Sequence, residues 1–311
     1  MTALYKQAIL FLRKHGFVQN LDSGALQSSA LGIATTLSGI PPKDAVLILQ
    51  PLENARRRLI LTGGLHPVFL ITPTSLSYSV AIQWRSYERI FEAFLKDCPE
   101  AEVVADHLGI NRAKLREFSQ NPPGARDENT DTIRLYRRFY LAMMLFTQVQ
   151  SEWPITRVLS QFFPQDNSQG VGGSSSSNSN SGGDQSGQVT RGVIQSLQKE
   201  ASTFCSMVVI FCKKLNWPIL ASCLEDYSER LSYGVRKELL PLMRLGPDMT
   251  AIRARSFIKY GMESAHDIVA ADITQVMEVL NSCQPHQQMH GQAAEMRQMN
   301  IERLSKKILD M

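Results

Sequence analysis

Cysteine is scarce in this 311-residue chain: Cys98, Cys205, Cys212, Cys223 and Cys283 are odd in number, and no two stand at CxxC spacing. That argues against a disulfide framework or a zinc knuckle. Cys205 and Cys212 would share a helical face, as buried free thiols do, and reduced thiols suit the cytosol or nucleus. Histidine is equally sparse. Only His286 and His290 stand at metal-ligand spacing, in a glutamine-rich stretch where solvated side chains are the simpler reading. No apolar run of about 18 residues free of charge is present, so nothing spans a bilayer and the chain reads as soluble, without membrane partners. The start, Met1 to Gly16, sets Lys6, Arg13 and Lys14 among apolar residues with no cleavage site, unlike a signal peptide. Also missing are GxxxxGK(S/T), GxGxxG after a strand, HExxH and GxSxG, the motifs of a self-contained catalytic site. Neither catalytic nor metal residues are therefore assigned.

What the chain does have is helical periodicity. At this length two or three compact units are expected rather than one. Ala3 to Phe17 reads as a helix ended by Gly16, followed by a short strand or turn from Val18. Pro41 and Pro42 open a helix running through Asp44 to Ala55, since proline is tolerated in a first turn. Leu65 to Thr72 fits a helix or a strand. Ile82 to Lys96 reads as a helix, and Thr132 to Val149 as another with Tyr136, Phe139, Tyr140, Met143 and Thr147 on one face; Val193 to Leu215 is a third. With no alternation of strands and helices and no internal repeat, the expected fold class is all-α. Gln165 to Gln188, rich in Ser, Gly and Asn, has too few apolar residues to offset its ordering entropy and reads as a disordered insertion, or as a linker between domains. Gln292 to Met311 carries Met296, Met299, Ile301, Leu304 and Ile308 in helical register, a fraying tail or a partner-binding helix.

Two segments carry basic residues in a pattern suited to nucleic acid. Val103 to Phe118 fits a helix-turn-helix, with Ala105 at the helix contact, Gly109 in the turn, and Val104, Leu108, Leu115 and Phe118 inward. Its Arg112, Lys114 and Arg116 would meet duplex DNA if the pair is a reader; a helix pair inside a helical core is the favoured reading, since 121–129 adds no further basic cluster. Tyr233 to Leu280 reads as helix, hairpin at Gly246 to Thr250, helix, turn at Gly261, and helix. There backbone N–H groups beside Arg253 and Arg255 would attract phosphate. From Val189 to Tyr260 eleven lysines and arginines stand against six acids, an excess greater than the +4 of the whole chain, as a nucleic-acid footprint or a solvated helical surface would show.

These residues resemble superfamily 2 DNA helicases of the polymerase theta and archaeal repair-helicase type. SALGIATTLSGIPPKDA (Ser29 to Ala45) is similar to the end of that family's winged helix, and LHPVFLITP (Leu65 to Pro73) to a signature early in its helical domain. RGVIQSLQ (Arg191 to Gln198) resembles the opening of its ratchet helix; RLSYGVRKELLPLMRL and RARSFIKYG resemble its closing helix-hairpin-helix domain. The resemblance implies a partial winged helix over 1–38, a helical ratchet domain over 39–229 containing the insertion 165–188, a helix-hairpin-helix-like domain over 230–283 and a tail helix over 284–311. It further implies single-stranded or forked DNA as partner, helicase motor domains in cis or in trans, ATP and Mg2+ confined to those motors, and a nuclear DNA-repair role. The residues it assigns to DNA are Gln195, Gln198, Lys199 and Ser202 on the ratchet helix, and Arg236, Arg253, Arg255 and Lys259 beyond it. Ile194, Leu197, Ala201, Phe204 and Val208 would face the core. Where archaeal relatives place a stacking aromatic, Ser202, Thr203 and Phe204 stand, which implies hydrogen bonding instead. Gly246-Pro247-Asp248 keeps one glycine of the family's hairpin.

Overall fold

The structure, a computed structural model, describes residues 2–22, 24–73, 80–124, 130–150, 153–163, 191–283 and 292–309. The serine-rich insertion and the His286, His290 pair lie outside them. After α1 (Thr2–Lys14), the strands β1 (Val18–Asn20) and β2 (Leu26–Ser28) pair antiparallel with Val18 opposite Ser28. Ser29 caps α2 (Ala30–Ser38): its Oγ accepts from the Gly32 N–H at 3.0 Å and donates to the Gly16 carbonyl at 2.6 Å. Pro42 occupies the first turn of α3 (Pro42–Arg57).

The ambiguous segment from Leu65 is a helix, α4 (Leu65–Ile71). Every residue in it is buried, which erased the periodicity that distinguishes helix from strand. A 3-10 turn, Trp84–Ser86, takes up the start of the helix expected from Ile82, and α5 (Tyr87–Asp97) follows. Next come α6 (Ala101–Leu108), α7 (Arg112–Gln120), α8 (Asp131–Gln150), α9 (Ile155–Phe162), α10 (Arg191–Lys214) and α11 (Pro218–Tyr233). The remainder is a 3-10 turn, Lys237–Leu239, then α12 (Leu240–Met243), α13 (Ala251–Lys259), α14 (Ala265–Ala270), α15 (Ile273–Ser282) and α16 (Gln292–Leu309). Among the described residues β1 and β2 form the one sheet, so the fold is all-α, as its periodicity predicted. The chain divides into two compact units, Met1–Ser228 and Glu229–Met311.

In the first unit α8 is the axis. Instead of one apolar face it buries almost its whole circumference from Ile133 to Val149, because α4 and α9 pack against it while Phe91 and Phe94 of α5 reach its aromatic rings. Several of its polar side chains bond inside the fold. Arg138 donates Nε to the Thr72 carbonyl at 2.9 Å and Nη2 to the Leu70 carbonyl at 2.8 Å, closing the C-terminus of α4, and its guanidinium lies 4.7 Å from the Phe69 ring centre. Burial lowers its pKa to about 10, opposed by Asp44, so it stays charged. The Tyr140 hydroxyl donates to the Phe162 carbonyl and ties α8 to α9. Cys205 and Cys212 are buried thiols whose pKa burial pushes up to about 12, so both stay protonated and inert.

His66, 1% exposed in α4, accepts the Ile60 N–H on Nδ1 at 3.1 Å and meets His107 edge-on at 5.2 Å between ring centres. Burial first, and His107 second, hold its pKa down from 6.5 to about 4. The unfolded chain therefore takes up a proton at a pH where the folded chain refuses it. Stability should be fully present above pH 6.5 and fall by about 3 kcal/mol as the pH drops to 4. In His66→Asn the amide oxygen can still accept from Ile60 but cannot titrate. Denaturant midpoints at pH 7 and pH 4.5 should diverge less in this variant than in the natural chain; equal divergence would contradict the assignment.

The second unit has its own core, with Leu239, Leu242, Phe257, Ile268, Val276 and Val279 at its centre. The region read as helix, hairpin at Gly246 to Thr250, helix, turn at Gly261 and helix holds one helix more than that reading, α12 to α15. α12 is a single turn with Pro241 among its first positions, Gly246 to Thr250 is the turn that joins it to α13, and Asp272 starts α15 as a separate helix through a capping box with Gln275. The final helix is no loose tail: Ile301 and Ile308 of α16 are 1% and 2% exposed, and Lys307 pairs with Asp248 at 2.5 Å.

Candidate nucleic-acid interface

α10 runs for 24 residues, about 36 Å. Ile194, Leu197, Ala201, Phe204 and Val208 are buried, as the amphipathic pattern requires, chiefly against α2 with α4 and α9 beside it. Cys205 donates its Sγ–H to the Leu224 carbonyl, which seats α11 on the same face. The opposite side carries Arg191, Gln195, Lys199 and Ser206, all exposed. Neither Arg191 nor Lys199 lies in an ion pair among the described residues, and Lys199 stands one turn beyond Gln195.

The four polar residues assigned to α10 divide into two kinds. Gln195 and Lys199 face water. Gln198 and Ser202 sit at the edge of that face, half-buried. Gln198 accepts from the Gln148 amide of α8, and Ser202 donates to the Ser228 carbonyl at 2.7 Å while its own carbonyl accepts from Ser228 Oγ at 3.1 Å. Ser206 adds a hydroxyl contact to Ser228 at 2.7 Å. These bonds hold α10 in orientation against α8 and α11 and engage Gln198 and Ser202 inside the protein.

In the second unit Arg236 and Lys259 are exposed, whereas Arg253 and Arg255 are half-buried and bond to backbone. Arg253 donates Nη1 to the Asp248 carbonyl, bracing the Gly246 turn, and Arg255 donates Nη2 to the Gly234 carbonyl at 3.3 Å. The N-terminus of α13 is capped by Thr250, whose Oγ accepts from the Arg253 N–H at 3.4 Å.

The helix-turn-helix candidate is well formed: Gly109 turns at φ 79, Val104, Ala105, Leu115 and Phe118 are buried, and Leu108 is half-buried. Phe118 packs at 5.1 Å on Trp84 and 5.2 Å on Tyr136. Its three basic residues, however, already have acidic partners: Arg112 with Glu102 at 2.6 Å, Lys114 with Glu117 at 2.7 Å, and Arg116 with Glu88 at 2.9 Å. Residues 85–89 and 102 supply carboxylates that the reading of 103–118 alone did not weigh. Among the described residues no cluster of His, Cys, Asp and Glu could hold a metal ion, and no helix is long and apolar enough to cross a membrane.

Residues 42–170 and 185–231 match the family model described as the DNA pol Q helicase like region, helical domain. The interruption falls inside the serine-rich stretch, whose flanks α9 and α10 pack together in one unit. The chain is similar to DNA polymerase theta of Drosophila melanogaster, 28% identical over 279 residues, covering 88% of this chain and 12% of that protein. DNA polymerase theta of Caenorhabditis elegans is 26% identical over 280 residues, covering 90% and 15%. Helicase POLQ-like of Homo sapiens is 23% identical over 228 residues, covering 73% and 18%. The chain thus spans less than a fifth of the length of these curated relatives.

Proposed function

The chain belongs to the DNA pol Q helicase-like helical-domain family, and on that premise we propose that it is the DNA-holding portion of a polymerase theta-like repair helicase, with single-stranded or forked DNA lying along the exposed side of α10. The observation that carries this reading is the pairing state of the basic residues. Arg191 and Lys199 flank Gln195 on an exposed helix face with no acid claiming them among the described residues, whereas Arg112, Lys114 and Arg116 are each neutralised. A cation with no carboxylate beside it meets phosphate without first giving up a partner. Gln195 offers polar contacts that read no base, so binding is sequence-tolerant.

On this reading residues 1–38 act as a partial winged helix, 39–229 as the ratchet domain and 230–283 as a helix-hairpin-helix-like clamp, to which Arg236 and Lys259 present their charges. Arg253 and Arg255 there position the backbone as well as adding charge. ATP and Mg2+ are the business of motor domains acting in cis or in trans, since this chain has no phosphate loop to receive them; the place of work is the nucleus.

Fluorescence anisotropy of a labelled single strand across a salt series tests the proposal. If about four cations meet phosphate, the logarithm of affinity falls with the logarithm of salt with a slope of about −3. Arg191→Ala with Lys199→Ala should weaken binding about tenfold and reduce the slope by about 1. A salt-insensitive curve, or an unchanged affinity in the double variant, would overturn it. Preference for a defined duplex lost on Arg112→Ala with Arg116→Ala would instead favour the helix pair α6–α7 as reader.

A further inference from the structure

Arg56, Arg57 and Arg58 close α3, and all three are exposed. α10 closes on Lys213 and Lys214, and the turn that follows is a Schellman motif. The Asn216 N–H bonds the Lys213 carbonyl at 3.2 Å, the Trp217 N–H bonds the Cys212 carbonyl at 2.9 Å, and Asn216 adopts φ 61. This turn carries Trp217 back against α3, where the Arg56 guanidinium lies 5.1 Å from its ring centre. The end of α3 and the turn that follows α10 thereby meet through the Arg56–Trp217 contact, each beside a run of cations.

Cations at a helix C-terminus complement the dipole. That accounts for Lys213, which also pairs with Glu225 at 2.9 Å, and for Arg56, which stacks on Trp217. It leaves Arg57, Arg58 and Lys214 exposed and in no ion pair among the described residues. Charges of one sign concentrated without compensation raise the local potential and draw polyanions. The patch also lies at the end of α10 opposite Arg191, so the polar side of the helix has free cations at both ends.

We propose that Arg57, Arg58 and Lys214 form a second phosphate-holding site for the backbone of a nucleic-acid strand, with the Arg56–Trp217 contact joining the two chain segments that carry them. This rests on the reading of α10 as the nucleic-acid-facing helix and extends the track along it. The guanidinium forks of Arg57 and Arg58 suit phosphate oxygens, and the Trp217 face is occupied by Arg56, so the site grips backbone without stacking bases.

Oligodeoxythymidines of increasing length, titrated into the full chain, test it. Affinity for the natural chain should keep rising until the oligonucleotide reaches from Arg191 to the patch. Arg57→Ala with Arg58→Ala and Lys214→Ala should plateau at a shorter length, bind long strands about tenfold more weakly, and lose about 2 from the salt slope. Short strands should bind it as they bind the natural chain. Arg85→Ala with Arg89→Ala and Lys96→Ala, which removes as much exposed charge elsewhere in the unit, should leave the length dependence unchanged. If the triple variant matches the natural chain on long strands while Arg191→Ala with Lys199→Ala still weakens binding, the second site falls and the reading of α10 stands. If the natural chain binds no single strand at low salt, both fall. Capture of a polyglutamate peptide, and not DNA, through the three residues would make the patch a protein-docking surface and overturn the proposal.

Discussion

Arg138→Ala should cost about 4 kcal/mol of folding stability and lower the melting temperature by about 10 °C. The guanidinium bridges the Thr72 and Leu70 carbonyls and covers Phe69, all inside the first unit. Truncation leaves two carbonyls at a buried helix end without donors and opens a cavity as well. Arg138→Lys should recover little, because one ammonium cannot reproduce the planar two-pronged contact. Arg138→Met fills the volume and removes the buried charge, so it should fall between, at about 2 kcal/mol. Chemical denaturation of the three variants checks the order; a loss under about 1 kcal/mol in the alanine variant would mean that water replaces the guanidinium.

A second large effect is expected at Gly32. On helix propensity alone, alanine should stabilise α2 by about 1 kcal/mol. Here its Cβ would stand 2.2 Å from the Phe17 carbonyl oxygen and 3.1 Å from the carbonyl carbon. That oxygen accepts the Ser29 N–H at 2.9 Å and shares the Ser29 hydroxyl proton, at 3.0 Å, with the Gly16 carbonyl. Neither side of the clash is a flexible side chain, so α2 must lift away from the residues before β1. Gly32→Ala is expected to lose about 3 kcal/mol, with faster hydrogen exchange across 17–38 and along α10, which packs on α2. A stabilised variant would show that α2 can shift at no cost.

Legibility in the sequence followed burial geometry. Where a helix lies on a surface with one wet side, as α10 does, its buried residues could be named from spacing. Where a helix is buried all round, as α4 and α8 are, the period vanishes, and Arg137, Arg138 and Gln148 look like surface positions in the sequence. Partnerships between distant residues were invisible for a different reason. Gln198 meets Gln148 across 50 positions and Ser202 meets Ser228 across 26, so no local window shows that these polar side chains are already engaged. The same holds for Arg116 and Glu88, 28 apart, a pairing that changes the standing of the helix-turn-helix candidate. The Arg56 to Arg58 run was in plain view; its proximity to the end of α10 was not, because Trp217 joins them only after the Schellman turn.

The central claim is that α10 faces the strand. Photocrosslinking a single strand substituted with 5-iodouracil to the full chain, then mapping the adducts by mass spectrometry, tests it most directly. Adducts should fall within 191–214 and at its edges near 56–58. Adducts confined to 101–120, with none on α10, would contradict it.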